Sequence, residues 1–368
     1  MLLRIGRASQ TATHFRRFMT STPTSTSSRS SKSRTPHEGV LVLPAHAELQ
    51  ELSEKERTSL LCDTHTHVLS TWHSYKEKYP EGQYESIRSF VQATLQADEG
   101  NRIAKVVDVW CESPPVANWR DIVDDLAKLE QQDGGFSYHF VIGCHPDVAG
   151  DYTDEIEQQY IEAHRHPRCV GWGEIGLDYY NQPANEKQKE VLRRQLRLAV
   201  KSGADKAITI HTRKADEDIL PILKEELPQD QRLHIHCFTD SPDLADAILS
   251  HFPNAFIGIT GVISYASNEN TPEVVRRLGA RCSPDSPTGL RILLETDAPY
   301  LAPANLPTKQ IGMTSKQRYP FCHGGVLPWT AEFVAGVLNE GKGLDDRRWT
   351  TVDVLRQARE NARACYRI

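Results

Sequence analysis

Eight short apolar runs, each followed by a longer amphipathic segment, constrain most strongly how this chain can fold. The runs are rich in Val, Ile and Leu and lie at residues 60–64, 104–109, 138–143, 169–174, 207–210, 233–237, 255–260 and 292–295. The amphipathic segments predict helices at 84–96, 119–131, 187–201, 218–226, 244–251, 272–278, 330–339 and 352–363. Apolar strands that alternate with helices are typical of a parallel sheet covered by helices. We therefore predict an α/β fold, a single-domain (β/α)8 TIM barrel, with an open doubly wound sheet as the alternative.

Two long segments interrupt this alternation. One spans residues 70–85, after the first predicted strand, and the other spans residues 303–328, after the eighth. Segments that follow the strands of such a barrel line its carboxyl-terminal face, where binding sites of this fold are built. We therefore expect both segments to form the rim of a site at that face.

The first 37 residues differ in composition from the rest of the chain. They contain seven Arg or Lys, fifteen Ser or Thr, and no Asp or Glu. This composition is typical of an organelle transit peptide, and a disordered basic tail is the alternative. We predict a targeting or disordered extension at 1–37, a linker or pre-barrel segment at 38–57 and the barrel at 58–368. The expected location is mitochondrial, cytoplasmic or both, with the nucleus as a further option, and not extracellular.

Charge and cysteine usage exclude several classes of protein. The chain has 43 Lys and Arg against 49 Asp and Glu, a net charge of −6, and every acidic residue lies outside the first 37. This balance excludes a broad basic surface that wraps nucleic acid. The eight cysteines form no C-x-x-C pair, which predicts free thiols in a reducing compartment. No apolar run approaches the roughly 18 residues of a membrane helix.

Residues with metal-binding side chains follow the first predicted strand. This strand ends in Asp63-Thr64-His65-Thr66-His67. His65 and His67 are two residues apart on an extended chain, so both side chains lie on one side and can reach one metal ion. Taken alone, this motif does not distinguish a metal site from a polar strand end.

The same pattern recurs at five other strand ends. These ends carry Cys144-His145, Gly173-Glu174, His211-Thr212-Arg213, His236-Cys237 and Glu295-Thr296-Asp297. In a barrel, side chains at the carboxyl ends of the strands surround one common mouth. The pattern therefore predicts one metal centre assembled from several strands, rather than six unrelated structural residues.

These segments resemble the TatD-type metal-dependent deoxyribonucleases, a branch of the amidohydrolase-like TIM barrels. The resemblance runs from Cys62 to the C-terminus. It rests on DTHTH at 63–67, GCHP at 143–146, GEIGLDY at 173–179, IHTR at 210–213, HCF at 236–238, ETDAPYL at 295–301 and NA at 361–362. The combination is more specific than any one of its parts.

The resemblance implies a site for two divalent metal ions, which would be Mg²⁺, Mn²⁺ or Zn²⁺. It assigns the ligands of the two ions as His65, His67 and Asp297 for one, His211 and His236 for the other, and Glu174 as the bridge. Two cations about 3.5–4 Å apart can polarise a phosphodiester and stabilise both its attacking and its leaving oxygen.

Three of these strand-end residues are expected to be catalytic. Asp297 is the candidate for orienting or deprotonating the attacking water, and Glu174 joins it as the bridging ligand. His145 lies outside the family's metal set and is expected to contact the scissile phosphate and protonate the leaving oxygen. The alternative for His145 is a structural role before a proline.

Arg213 is expected to bind a substrate phosphate through its guanidinium group, or else to form a surface ion pair with Asp216 or Glu217.

A separate prediction concerns His234, which lies beside the proposed ligand His236. His234 shares a face with His236 but lies deeper along its strand, so we expect it to lie in the interior.

The cysteines that neighbour the ligands have a separate prediction. Cys62, Cys144 and Cys237 lie next to strand-end residues of the site. Because side chains alternate along a strand, these three thiols should face the helices rather than the barrel interior.

We predict a divalent-metal-dependent hydrolase of the TatD type that acts on ester bonds. The substrate would be DNA, with 3′–5′ removal of residues from single-stranded ends held in a narrow pocket. One alternative is a hydrolase of the same fold that acts on a small amide, an ester or an aminoacyl ester. Another, raised by fungal-type members of the family, is a barrel that serves mainly to bind a protein partner through its rim segments. No membrane partner is expected.

Overall fold

Eight parallel strands form one sheet in which the strand order follows the chain. The computed structural model describes residues 35–97, 100–130, 136–180, 185–203, 206–343 and 345–368. The strands are β1 (Leu61–Thr66), β2 (Ile103–Trp110), β3 (Ser137–Ile142), β4 (Cys169–Asp178), β5 (Ala207–Arg213), β6 (Leu233–Ile235), β7 (Ala255–Ile259) and β8 (Ile292–Leu294). This order confirms the predicted (β/α)8 barrel, because a doubly wound sheet reverses its strand order at a switch point. Residues 1–34 of the predicted targeting segment lie outside the described residues.

Helices alternate with the strands. In chain order they are α1 (Ala47–Gln50), α2 (Glu54–Leu60), α3 (Val68–Lys78), α4 (Ile87–Leu95), α5 (Trp119–Ala127), α6 (Asp154–Ala163), α7 (Glu186–Lys201), α8 (Asp216–Glu226), α9 (Pro242–His251), α10 (Asn270–Gly279), α11 (Leu327–Leu338) and α12 (Thr351–Tyr366). Each of the eight helices predicted from amphipathic segments is present, with ends that differ by a few residues. The sequence pattern missed α6 because few of its positions are apolar.

The first predicted interruption, at 70–85, contains a helix. Helix α3 begins at Val68, directly after β1, and Tyr75 within it is fully buried. The ring of Tyr75 lies 5.4 Å from that of Trp72 and 5.0 Å from that of Phe90. Aromatic packing therefore orders this segment. The second interruption, at 303–328, is irregular apart from a short 3₁₀ turn at Gly324–Val326 and the start of α11.

Residues 38–57, which we predicted to be a linker or pre-barrel segment, pack against the barrel. Leu43 lies in an apolar cluster with Leu306 and Trp329, on the segments that follow β8. The carboxylate of Glu38 accepts a hydrogen bond from the hydroxyl of Tyr75 at 2.5 Å. This segment therefore joins α3 to the second rim segment.

The barrel interior holds its own apolar cluster. Val107 and Val141 belong to this cluster, and so does Cys62, so the prediction that Cys62 faces the helices is wrong. The reason is that β1 carries register shifts against β2, which break the simple alternation of faces. Cys62 and His65 are three residues apart and both face inwards. Cys144 lies in the outer cluster between strands and helices, as predicted.

All eight cysteines are free thiols, as predicted, and six of them are buried. Within the described residues, no helix combines the length and the apolar character that crossing a bilayer requires.

Hydrogen bonds between the ends of β1 and β8 close the barrel. The backbone N–H of Asp297 donates to the carbonyl of His65 at 2.9 Å, and that of His67 donates to the carbonyl of Ala298 at 3.0 Å. Residues that were predicted to bind metal thus also carry the closing contacts.

The side chain of Asp63 supports this closure, and its removal is a test of it. The buried carboxylate accepts hydrogen bonds from the backbone N–H of Thr296 at 3.0 Å and from its hydroxyl at 2.7 Å. Asp63→Ala should lower the free energy of unfolding by about 2 kcal/mol, because it leaves two buried donors without an acceptor. Urea unfolding followed by circular dichroism measures the change.

The matched control is Asp285→Ala, whose side chain is 74% exposed. It should change the free energy of unfolding by no more than about 0.5 kcal/mol. Equal unfolding midpoints for wild type and Asp63→Ala would show that the Asp63 carboxylate does not stabilise the contact between β1 and β8.

Candidate active site

Glu174 lies at the centre of the candidate site, and its two carboxylate oxygens face different histidines. Oε1 lies 2.7 Å from His211 Nδ1 and 2.9 Å from His236 Nε2. Oε2 lies 3.5 Å from His65 Nε2 and 3.6 Å from His67 Nε2. The carboxylate therefore stands between two pairs of imidazoles that come from β5, the end of β6 and β1.

Asp297 joins the pair from β1. Its Oδ1 lies 3.3 Å from His67 Nε2 and 3.8 Å from His65 Nε2. Its backbone adopts φ of 50°, in the left-handed region, and its N–H bonds to His65. This turn after β8 brings the carboxylate against β1, so the three residues place donor atoms within 4.8 Å of one another. The structure thus brings together all six residues that the resemblance named as ligands.

Two glycines allow β4 to carry Glu174 into this position. Gly173 has φ of 142°, and a Cβ there would lie 2.6 Å from Cβ of Thr209 on β5. A Cβ on Gly176 would lie 1.8 Å from the carbonyl oxygen of His211. Both positions require glycine because the two strands approach each other closely. The G-E-I-G segment is therefore explained by strand packing around the central carboxylate.

His145 also contacts the central carboxylate. Its Nε2 lies 3.5 Å from Glu174 Oε1, and its ring centre lies 4.6 Å from that of His211. The backbone N–H of Asp147 donates to His145 Nδ1 at 3.1 Å, so in the neutral ring the proton is on Nε2. His145 therefore presents an N–H donor to the site.

The donor set fits divalent cations. His65 is fully buried, and neither of its ring nitrogens has a hydrogen-bond partner among the described residues. Unpaired buried nitrogens are costly, and a bound cation would satisfy one of them. Burial, followed by the charge on His236, lowers the pKa of His65 to about 4. The ring is therefore neutral at physiological pH, the form that coordinates metal.

Two other imidazoles of the site, those of His67 and His211, are charged in the metal-free protein. Burial opposes the charge on His67, but the hydrogen bond to Asp297 and the charge of Glu174 outweigh it and raise its pKa to about 9. Burial is likewise outweighed at His211, where hydrogen bonds to Asp178 and Glu174 raise the pKa to about 9. Protons on these rings balance the buried carboxylates until a cation replaces them.

Two further carboxylates hold the outer side of the histidines. Asp178 Oδ2 lies 3.1 Å from His211 Nε2. Glu295 lies 3.7 Å from His236 Nδ1 through Oε1 and 2.8 Å from His234 Nε2 through Oε2. His234 is fully buried, as predicted. The hydrogen bond between Asp178 and His211 Nε2 fixes the orientation of that ring, and the Glu295 carboxylate places a negative charge beside His236.

Three residues of the site, Asp178, Glu295 and Cys111, had no role predicted from the sequence. Asp178 and Glu295 stand inside recognised segments, and their strand-end positions were the available signal. Cys111 follows β2 and places its sulfur with donors of His67 and Glu174 within 4.8 Å. Its inward direction depends on the barrel, so spacing alone did not indicate it.

Arg213 lies at the edge of the site rather than within it. Its Nη1 is 3.9 Å from Asp178 Oδ2. In the described part of the chain Asp178 is its ion-pair partner, and not the alternative partners Asp216 and Glu217. The side chain is 40% exposed, which leaves the guanidinium group accessible.

Metal binding should release protons. At pH 7.5 His67 and His211 are protonated in the metal-free protein because their pKa values are raised to about 9. Binding of Zn²⁺ should therefore release at least about two protons per chain, whereas ordinary pKa values near 6.5 would give only about 0.2 from this pair. Because the histidines lose these protons as pH rises towards 9, apparent affinity should increase with pH. Calorimetric titrations in buffers of different ionisation enthalpy count the protons.

His67→Asn should lower this release by about one proton. The matched control is His251→Asn, at the C-terminal end of α9 and away from the site, which should not change the count. Release of less than half a proton by the wild type would show that the histidines are neutral before metal arrives.

Removal of the charge on Glu295 tests whether this carboxylate positions the imidazole of His236. Glu295→Gln should weaken metal binding about 10- to 100-fold, because the imidazole loses its carboxylate partner. Competition with a chromophoric chelator measures the affinity, and circular dichroism checks folding. Glu340→Gln, whose side chain is 52% exposed, is the control that should bind as wild type does. Unchanged affinity in Glu295→Gln would remove the proposed positioning role.

Comparison with known proteins extends these observations. The human 3'-5' RNA nuclease TATDN2 is 37% identical over 205 residues, which cover 55% of this chain and 24% of that protein. The chain thus matches about a quarter of the length of this relative. The uncharacterized metal-dependent hydrolase YabD of Bacillus subtilis is 27% identical over 245 residues, covering 66% of this chain and 82% of YabD.

A solved structure and a family profile agree with these relatives. The hydrolase TatD family protein from Entamoeba histolytica has the same fold, with a TM-score of 0.60 at 16% identity over 84% of this chain and 98% of that chain. The profile of the TatD related DNase family matches residues 62–367, which include every residue of the candidate site. The chain therefore belongs to the TatD related DNase family.

Proposed function

We propose that the protein is a divalent-metal-dependent nuclease that hydrolyses phosphodiester bonds at the 3′ ends of single-stranded nucleic acid, with DNA as the first substrate to test. The observation that carries the proposal is the division of the Glu174 oxygens between two sets of imidazoles. The name of the family and that of the human relative, a 3'-5' RNA nuclease, support nucleic acid as the substrate class.

We infer two ions, held in the way that the resemblance implies. His65, His67 and Asp297 would hold one ion, His211 and His236 would hold the other, and Glu174 would be shared by both. When bound, two such cations polarise the phosphodiester and stabilise its attacking and leaving oxygens. Mixed imidazole and carboxylate ligands suit Zn²⁺ and Mn²⁺ and admit Mg²⁺.

Asp297 acts on the attacking water in this proposal. The Asp297 carboxylate is 15% exposed, whereas that of Glu174 is 5% exposed, so water reaches Asp297 more readily. Held by the turn after β8, the Asp297 carboxylate can orient a water molecule and accept its proton. Glu174 is placed to hold the two ligand sets together rather than to receive the substrate.

His145 and Arg213 act on the phosphate. The Nε2–H of His145 is placed to donate to a phosphate oxygen or to the leaving oxygen, because Asp147 occupies Nδ1. Arg213, at the edge of the site, offers a planar guanidinium group that can pair with a phosphate through two hydrogen bonds. An acidic chain of net charge −6 needs such local positive groups to hold a polyanion.

The test is degradation of a single-stranded DNA 20-mer labelled at its 5′ end, with Mg²⁺ or Mn²⁺. Wild type should shorten the strand stepwise from the 3′ end. Glu174→Ala should reduce the rate at least about 1000-fold, because both ligand sets lose their common carboxylate. His145→Ala should reduce it about 100-fold.

The control for these variants is Glu190→Ala on α7, whose side chain is 54% exposed. It should retain the wild-type rate. The proposal fails if Glu174→Ala and wild type degrade DNA equally, or if the wild type hydrolyses small esters but neither DNA nor RNA. Shortening from the 5′ end would support a nuclease activity but would overturn the proposed 3′–5′ direction.

A further inference from the structure

Three large side chains lie at the carboxyl ends of β4 and β5, at the face that holds the candidate metal-binding donors. We call Tyr180, Arg213 and Lys214 the mouth platform. Tyr180 is 43% exposed, although it is aromatic. The guanidinium carbon of Arg213 lies 3.7 Å from the centre of its ring, and Nζ of Lys214 lies 4.8 Å from it. An accessible aromatic ring thus stands beside two cations.

Side chains of the neighbouring strands hold the backbone of the platform. The N–H of Tyr180 donates to Asp178 Oδ1 at 2.8 Å. Lys214 has φ of 55°, in the left-handed region, and its N–H donates to Asp240 Oδ1 at 2.8 Å. The other oxygen of Asp240 accepts from the hydroxyl of Thr212 at 2.7 Å. A conformation that costs energy and is held in this way is typical of binding sites.

One carboxylate separates the platform from the metal-binding donors. Asp178 Oδ2 is 3.9 Å from Arg213 Nη1 and 3.1 Å from His211 Nε2, and His211 Nδ1 is 2.7 Å from Glu174 Oε1. A nucleotide adjoining the bond to be cleaved is therefore within reach of the platform. Asp178 positions both the imidazole and the platform.

We infer that the mouth platform receives an unstacked base of a single strand on Tyr180 and the adjoining phosphate on Arg213 and Lys214. This inference rests on the proposed nuclease function and specifies how its substrate is held. Every nucleobase has a flat π-face, so an aromatic ring binds single strands with little sequence preference. Paired bases in a duplex do not expose that face, so the platform selects single strands.

The experiment compares two probes of equal length and charge. One is a fluorescein-labelled, phosphorothioate-linked dT pentamer, which resists hydrolysis, and the other is its abasic counterpart. Fluorescence anisotropy with Mg²⁺ present gives both affinities. Wild type should bind the dT probe more tightly. Tyr180→Ala should weaken binding of the dT probe about 10-fold and leave the abasic probe unchanged, whereas Tyr180→Phe, which keeps the ring, should bind as wild type does.

A variant of Lys214 tests the contribution of positive charge to the platform. Lys214→Gln should weaken both probes equally and reduce the dependence of affinity on salt, because it removes a phosphate contact. Its matched control is Lys201→Gln in the last turn of α7, at the opposite face of the barrel, which should change neither affinity. Tyr180 is exposed, so its variants should fold, and circular dichroism checks that they do.

Three results overturn the inference. They are equal affinity of the wild type for the two probes, no measurable binding of either probe, and an equal decrease in affinity for both probes in Tyr180→Ala. Cleavage of ordinary single-stranded DNA by the same wild-type preparation is measured in parallel. A protein that cleaves DNA but shows any of these results retains the proposed function and loses the platform. A protein that prefers the dT probe but cleaves nothing retains the platform and loses the proposed function.

Discussion

A buried carboxylate between two sets of imidazoles is the constraint on which the rest of the site depends. Glu174 is almost fully buried, and an isolated charge there would cost far more than the fold could offset. Imidazolium partners, and the charge on His236 first among them, outweigh burial and hold the pKa of Glu174 well below its ordinary value. The site is therefore a balance of opposite charges, with His65 kept neutral inside it.

The same residues close the barrel and build the site. Backbone bonds that join β1 to β8 run through His65, His67 and Asp297. A change in the contacts between β1 and β8 would therefore move the side-chain atoms of the candidate metal site as well as the strands. This coupling explains why a left-handed turn at Asp297 is tolerated, since it is needed both for the closing bond and for the position of the carboxylate.

Support for the site reaches the opposite end of the chain. The hydroxyl of Tyr366, in the last helix, lies 2.7 Å from both His234 Nδ1 and Thr209 Oγ1. His234 in turn contacts Glu295, which faces the imidazole of His236 in the candidate site. The end of α12 is therefore connected with the donor set through a series of buried polar side chains that contact one another.

The barrel and the residues at its mouth could be predicted from the order of the residues alone. Strand and helix periods are local properties, and a residue at a strand end stays at the mouth whatever the exact register. Three features became known only from the folded chain: the direction of Cys62, the carboxylate that pairs with Arg213, and the imidazoles that each oxygen of Glu174 faces. These outcomes depend on register shifts, on close approach at glycines and on contacts between residues far apart in the chain. No local pattern contains such information, because it arises only when the eight strands close on one another.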